Sequence, residues 1–456
     1  MRLLALLFMV SPVLAGTPSR SNVVVMLCDD LGYGDLSCYG HPVIRTPNLD
    51  RLAGEGLRLT ACYAAAPVWS PSRAGMLTGR TPYRSGIYDW IALGSPMHVQ
   101  RSEVTVATLL KRAGYDTSFV GKWHCNGKFN EPDQPQPSDH GFDHWMATQN
   151  NAAPSHADPI NFVRNGEPVG PLKGYSSELI VDEAIDWLET RKGGQPFCQF
   201  IWFHAPHEPI ATAEEFVEQY ADVRPRLRAE HYGNVTQIDH AVGRYVAALE
   251  KLGVADDTFI LFTSDNGPET LNRYPGADRS YGSPGAFRGM KLHLYEGGIR
   301  VPGIIRWPGR IKAGQVSDEP VSGVDVLPTL CEIATADVPD DRAMDGASIL
   351  PLFAGSSIKR SKPLYWQYDR AFSLPKVAIR DGDWKLLADD GLGRFELYNL
   401  KDDPAETQNR AADEPERLKR MAMVMNDIYN EVDVESPDWP GIVKRPSHKP
   451  RPVKKD

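Results

Sequence analysis

The sequence predicts an α/β fold: a large mixed, mostly parallel sheet sandwiched by helices, followed by a smaller C-terminal subdomain with an antiparallel sheet. Three observations carry this prediction. Continuous apolar and β-branched runs recur at 22–28 (NVVVMLC), 197–203 and 258–263, a pattern suited to strands buried on both faces. Helical stripes alternate with these runs, as at Ile180, Ala184, Ile185 and Leu188. From about residue 364 the pattern changes to short, aromatic-rich segments divided by turns.

Taken in order, the run 22–28 is a buried strand that ends at Asp29-Asp30. A short helical pattern at 50–54 is stopped by Gly56, and a helix at 105–113 is closed by Gly114. A strand near 117–120 follows, then a helix over 177–190 and the strand 197–203. Val235, Ile238, Val242, Val246 and Leu249 form one face of a further helix. The strand 258–263 ends at Ser264-Asp265-Asn266-Gly267, and 303–307 reads as a fourth strand. Segments 364–368, 376–380, 384–387 and 396–398 read as the antiparallel sheet, with a helix over 410–429. The domain division is 1–15, 21–360, 361–435 and a disordered tail over 436–456, rich in Pro, Lys and Arg towards its end. There are no internal repeats.

The chain has 456 residues, a net charge of −9 and six cysteines. That length permits a large core. The mild acidic balance argues against a nucleic-acid partner, and six cysteines are too sparse for a disulfide scaffold. At the N-terminus, Arg2 precedes an apolar run that closes on Val13-Leu14-Ala15, as in a secretory signal peptide. The run is short for a membrane span of roughly 20 residues. The expectation is an exported protein (periplasmic, extracellular or lysosomal) with no stable membrane span.

Polar clusters sit just beyond the predicted strands, where ligands collect in open α/β sheets. Asp29, Asp30, Asp265 and Asn266 offer hard oxygen donors that suit Ca²⁺, with Mg²⁺ as the alternative. Adjacent buried carboxylates need a cation to offset their repulsion and desolvation. A basic group accompanies them: Arg73, Lys122, His124, His204, His207, Arg288, Lys291 and Arg300. Basic side chains beside a divalent cation suit a tetrahedral oxyanion ester, a phosphate or a sulfate.

The motifs DDLGYGD (29–35), TPNLDRLAGEG (46–56), SPSRAGMLTGR (70–80), GKWH (121–124), APHEP (205–209), SDNG (264–267), RGMK with EGGIRVP (288–303) and ELYNLKDDPAE (396–406) carry a resemblance. Their order resembles the sulfatase family of the alkaline phosphatase superfamily, over residues 21 to about 430. The resemblance implies that Asp29, Asp30, Asp265 and Asn266 hold one divalent cation, usually Ca²⁺. It implies that Arg73 steadies the nucleophile, Lys122 and Lys291 grip the sulfate, His124 orients or deprotonates the nucleophile, and His207 assists the leaving group. The implied ligand is a sulfate-ester small molecule or a sulfated glycan, with carbohydrate favoured over aryl sulfates. Segments 130–173, 212–230 and 268–287 are expected to shape the pocket mouth.

One position departs from that pattern. The family places a cysteine or serine in C/S-x-P-S-R, which a formylglycine-generating enzyme converts to the nucleophile. Here that slot holds Trp69. Indole has no oxygen to attack with or to offer a metal, and Ser70 is one residue out of register. Three readings stay open. The chain is a hydrolase of sulfate esters in which Trp69 is a variant residue, a pseudoenzyme that binds sulfated glycans, or a hydrolase that attacks phosphate or sulfate esters with metal-bound water.

Overall fold

The computed structural model describes residues 20–442; the predicted leader and residues 443–456 lie outside them. The main sheet has eleven strands: β1 Asn22–Cys28, β2 Leu57–Tyr63, β3 Asp116–Lys122, β4 His144–Thr148, β5 Val163–Arg164, β6 Glu167–Pro168, β7 Phe197–Trp202, β8 Thr258–Ser264, β9 Arg300–Arg306, β10 Gln315–Ser317 and β11 Val321–Ser322. The spatial order is β10-β2-β9-β8-β1-β7-β3-β4-β5-β6, with β11 also on β2. The central strands β8, β1, β7, β3 and β4 are mutually parallel. The expected fourth strand is β9, and it runs antiparallel to β8 and β2.

Alternation within β1 shows why the strand reads as continuously apolar. Val23, Val25 and Leu27 enter the core on one face, while Val24, Met26 and Cys28 enter the core on the other. Helices cover both faces: α1 Pro47–Glu55, α2 Trp69–Thr78, α3 Val106–Arg112, α4 Ser176–Thr190, α5 Glu214–Val217, α6 Arg226–Lys251, α7 Glu296–Ile299, α8 Val326–Ala334 and α9 Pro415–Glu435. The Thr105 side chain caps α3 by accepting from Thr108 N–H. The helix α2 has no counterpart in the sequence reading, because its residues are buried on nearly every side and show no amphipathic stripe.

The C-terminal sheet is four antiparallel strands: β12 Leu364–Gln367, β13 Val377–Asp381, β14 Trp384–Ala388 and β15 Phe395–Asn399. Buried charge fastens it to the main sheet. Lys385 of β14 reaches Glu296 Oε1 and Glu406 Oε1, both at 2.9 Å. Tyr63 at the end of β2 donates to Glu296 Oε2 at 2.6 Å, and Trp366 Nε1 donates to Ala64 O at 2.8 Å. The described part of the expected tail packs on the body, with Trp439 Nε1 donating to Gly86 O at 2.7 Å.

Gly121 shows how tightly the central strands meet. Its φ is +111°, and an added Cβ would lie 1.8 Å from Trp202 O. Gly121→Ala is therefore both conformationally strained and sterically blocked. Its unfolding free energy should fall by more than about 2 kcal/mol, read from a lowered denaturant midpoint; an unchanged midpoint would contradict this packing.

Candidate active site

Four neighbouring parallel strands, in the order β8-β1-β7-β3, end on the same edge of the sheet. Their carboxyl ends deliver Asp265 and Asn266, Asp29 and Asp30, His204 and His207, and Lys122 and His124. Two of these residues are held at positive φ, Asp30 at 65° and His124 at 50°. Such backbone is costly outside glycine and concentrates at functional sites. The helix α2 adds Trp69 and Arg73, and the loop before α7 adds Lys291. Arg73, Lys122, His124, Asp29, Asp265, Asn266 and Lys291 are all fully buried.

The charged groups interlock. Arg73 donates from Nε and Nη2 to Asp265 Oδ2, at 3.0 and 2.7 Å, and from Nη1 to Lys122 O at 2.7 Å. Lys122 Nζ lies 2.5 Å from Asp29 Oδ2. Lys291 Nζ lies 2.7 Å from Asp30 Oδ2 and 3.3 Å from Glu269 Oε2. Burial pushes Asp30 up to about 7 and Asp265 up to about 6, with the Asp29 charge adding to both. Lys291 opposes the rise at Asp30, and Arg73 opposes it at Asp265.

Burial and the Lys122 charge hold His124 and His207 well below the usual imidazole range, so both rings are neutral. His124 Nε2 lies 3.1 Å from Ile91 O, which can only accept. Nε2 therefore carries the proton and Nδ1 is the free acceptor. Asp29 Oδ1, Asn266 Oδ1, His124 Nδ1 and both His207 nitrogens are buried without a hydrogen-bond partner. Asp29, Asp30 and His207 bring ligand atoms within 4.8 Å of one another, a cluster suited to a metal ion. His207, which the sequence placed near the leaving group, thus also borders the carboxylates.

Trp69 occupies the middle of this array. Its Nε1 donates to Asp30 Oδ1 at 2.8 Å, an oxygen that also accepts from Asn266 Nδ2 at 2.7 Å. Lys291 Nζ sits 3.5 Å from the ring centroid and Lys122 Nζ 4.7 Å. His124 stacks on the indole at 5.6 Å and His207 meets it edge-on at 4.8 Å.

The neighbouring hydroxyl and thiols are placed elsewhere. Ser70 Oγ accepts from Ile91 N at 3.1 Å, away from the carboxylates. Burial pushes the Cys62 and Cys125 thiols up to about 12, far from a thiolate nucleophile. His204 is bound to Thr148 Oγ1 at 2.7 Å. Arg300 pairs with Glu296, and Arg288 with Tyr398 and the Glu406 carbonyl, so both serve the junction with the C-terminal sheet.

The array opens into a cleft of about 660 Å³. Its walls include Asn150 and Asn151 from the 130–173 segment and Arg273 and Tyr274 from the 268–287 segment. The 212–230 segment contributes no lining residue. Tyr368, Arg370 and Phe372, which follow β12, complete the wall. Sequence reading missed these, together with Trp90, while Glu269 falls in the 268–287 segment expected at the mouth. None lies in a motif, although the exposed aromatic side chains of Trp90 and Phe372 are a signal once the fold is known.

A family model described as "Sulfatase" matches residues 21–336, and one described as "N-sulphoglucosamine sulphohydrolase, C-terminal" matches 286–433. The N-acetylgalactosamine-6-sulfatase of Rattus norvegicus is 36% identical over 394 residues, covering 80% of this chain and 71% of its own length. The steryl-sulfatase of Rattus norvegicus is 33% identical over 430 residues, covering 79% and 74%. Among solved structures, Ps i-CgsB in complex with k-i-k-neocarrahexaose has a TM-score of 0.80 at 26% identity, covering 92% of this chain and 94% of that one. BT4656 in complex with its substrate D-glucosamine-2-N,6-O-disulfate has a TM-score of 0.71 at 25% identity, covering 92% and 99%.

Removing Arg73 strands the buried Asp265 carboxylate. Arg73→Ala should lose about 3–5 kcal/mol of stability in urea unfolding; a loss under about 1 kcal/mol would mean that the pair is not load-sharing with the fold.

Proposed function

Because the chain belongs to the sulfatase family, we propose that it recognises sulfate esters of saccharides and that, with Trp69 as written, it binds them without hydrolysing them. The observation that carries this reading is the placement of the Trp69 indole. It lies among Asp30, Lys122, Lys291, His124 and His207, where the family's nucleophile slot falls, and it offers only an N–H donor and an aromatic face. The cleft outside it is lined by Lys291, Arg273 and Arg370, whose charges pair with Asp30 and Glu269, with Glu269, and with Asp89, and which would share those contacts with a bound sulfate. The saccharide class is supported by two structural neighbours whose described ligands are a neocarrahexaose and a glucosamine disulfate.

The side chains also fit a divalent cation. Asp29 Oδ1 and Asn266 Oδ1 are buried oxygen acceptors with no donor, beside further carboxylates that burial disfavours as anions. Asp29, Asp30, Asp265 and Asn266 would hold Ca²⁺, or Mg²⁺, with His207 alongside. The cation would supply charge to draw in a sulfate oxygen. Arg73, Lys122 and Lys291 keep the carboxylates compensated, and His124 Nδ1 and both ring nitrogens of His207 stand without a partner beside them. Trp69 caps one oxygen of Asp30 and adds no ligand in return. The apolar leader makes export to a periplasmic, extracellular or lysosomal space part of this reading. No described helix is long and apolar enough to cross a membrane.

Two measurements test the proposal. Trp69→Cys, co-expressed with a formylglycine-generating enzyme, should hydrolyse a sulfated sugar at least about a thousandfold faster than the parent chain. Comparable turnover by the parent would refute the blocked-site reading, and an inert but folded, Ca²⁺-loaded cysteine variant would refute the hydrolase lineage. Separately, adding Ca²⁺ at about a hundred times its Kd should stabilise the parent by about 2.7 kcal/mol, reversibly with chelator. Asp29→Ala should abolish that shift; a shift that persists would place the ion elsewhere.

A further inference from the structure

Both oxygens of Asp30 are fully engaged by side chains. Its Oδ2 lies 2.7 Å from Lys291 Nζ and 3.7 Å from His207 Nε2. Its Oδ1 accepts from Trp69 Nε1 at 2.8 Å and from Asn266 Nδ2 at 2.7 Å. A carboxylate oxygen offers about two lone-pair sites, so Oδ1 has none to spare. The three neighbours suited to a cation differ. Asp29 meets Lys122 and Arg73 through Oδ2, while its Oδ1 has no partner. Asp265 meets Arg73 through Oδ2, while its Oδ1 takes only a long bond from Asp30 N at 3.3 Å. Asn266 Oδ1 has no partner. Hard divalent cations take six or more oxygen ligands, so a site without Asp30 is short of what it needs.

One of the donors on Asp30 can give way at small cost. Lys291 is fully buried and lies also 3.3 Å from Glu269 Oε2, so moving its ammonium away from Asp30 would disturb three buried charges. Asn266 is fully buried and its Nδ2 also donates to Gly267 O at 2.8 Å. Trp69 is uncharged, only partly buried, and sits at the first position of α2. It already lines the cleft of about 660 Å³, with Trp90 edge-on at 6.5 Å.

The contacts that seat the indole are themselves sensitive to charge. Lys291 Nζ stands 3.5 Å and Lys122 Nζ 4.7 Å from its ring centroid. The N–H presents the positive end of its dipole to Asp30 Oδ1, so a cation drawn to that same oxygen meets like charge.

We propose that the Trp69 indole and a divalent cation compete for Asp30 Oδ1. Ion uptake swings the indole off the carboxylate into the cleft, and the seated indole in turn lowers the affinity for the ion. This rests on the cation site read above and deepens it. Residue 69 thereby regulates the carboxylates, a role beyond adding no ligand of its own, and the ion decides whether the indole stands at the cleft floor or within the cleft.

Calcium titration of the full chain by calorimetry tests this. Trp69→Phe keeps an aromatic ring and removes the N–H. It should bind Ca²⁺ at least about tenfold tighter than the parent, as expected when a hydrogen bond to a charged acceptor no longer has to be broken. Trp90→Phe leaves the Asp30 contact in place and should bind within about twofold of the parent. A crystal of the parent grown with Ca²⁺ gives a reading that needs no variant. With the ion on Asp30, Trp69 Nε1 should stand beyond hydrogen-bond distance of Asp30 Oδ1. Equal or weaker binding by Trp69→Phe, the same gain in Trp90→Phe, or an ion on Asp30 with the indole bond intact overturns the proposal. Binding by Trp69→Phe and none by the parent upholds it at its limit. Binding by neither refutes the cation site itself, and this proposal with it.

Discussion

Like charges buried side by side need counter-charges, and here the fold itself brings the like charges together. Neighbouring strands lie only about 4.8 Å apart, and β8 and β1 are adjacent and parallel, in a register that pairs Ser264 with Cys28. Their next residues are Asp265 and Asp29, so the carboxylates meet beyond the sheet edge by construction. Arg73 from α2, Lys122 from β3 and Lys291 from the loop before α7 converge on those anions and offset them away from water. The start of α2, the sharp backbone at Asp30 and His124, and the close passage of Gly121 past Trp202 all lie at this end of the sheet.

Most of this was legible in the chain. A sheet buried on both faces writes itself as unbroken apolar runs, which marked β1, β7 and β8, and the polar residues that end those runs marked the site. The helix α2 was not legible, since a segment buried all round loses the periodicity that distinguishes helix from strand. Strand direction was not legible either: β9 reads like its parallel neighbours, and only the loop that doubles back through α7 turns it. The helix α9 begins at Pro415, a residue that suits a first helical turn, rather than at 410.

The cleft was the least legible part, for a physical reason. Its floor comes from strand ends, which carry dense motifs. Its walls come from loops far apart in the chain, including Tyr368, Arg370 and Phe372 beyond β12. Those residues reach the cleft because the smaller sheet is locked to the larger one, through buried Lys385, Glu296, Glu406 and Tyr63, through Trp366 on Ala64 O, and through a shared apolar cluster. Residues from the regions of both sheets thus line one cleft, and the junction between the sheets sets the distance between its walls.

The counter-ion role of Arg73, Lys122 and Lys291 has an evolutionary corollary. As buried counter-ions these side chains answer to folding whatever the site does, whereas the Trp69 side chain carries no charge for the fold to depend on. A lineage that stopped hydrolysing its ester would be free to change residue 69 first, since an indole there still finds a partner in Asp30 and cover from two ammonium groups. Purifying selection for a folded chain alone would go on retaining the remaining signature. Acidic and basic residues that persist around a changed residue 69 are therefore what inheritance of the fold leaves behind.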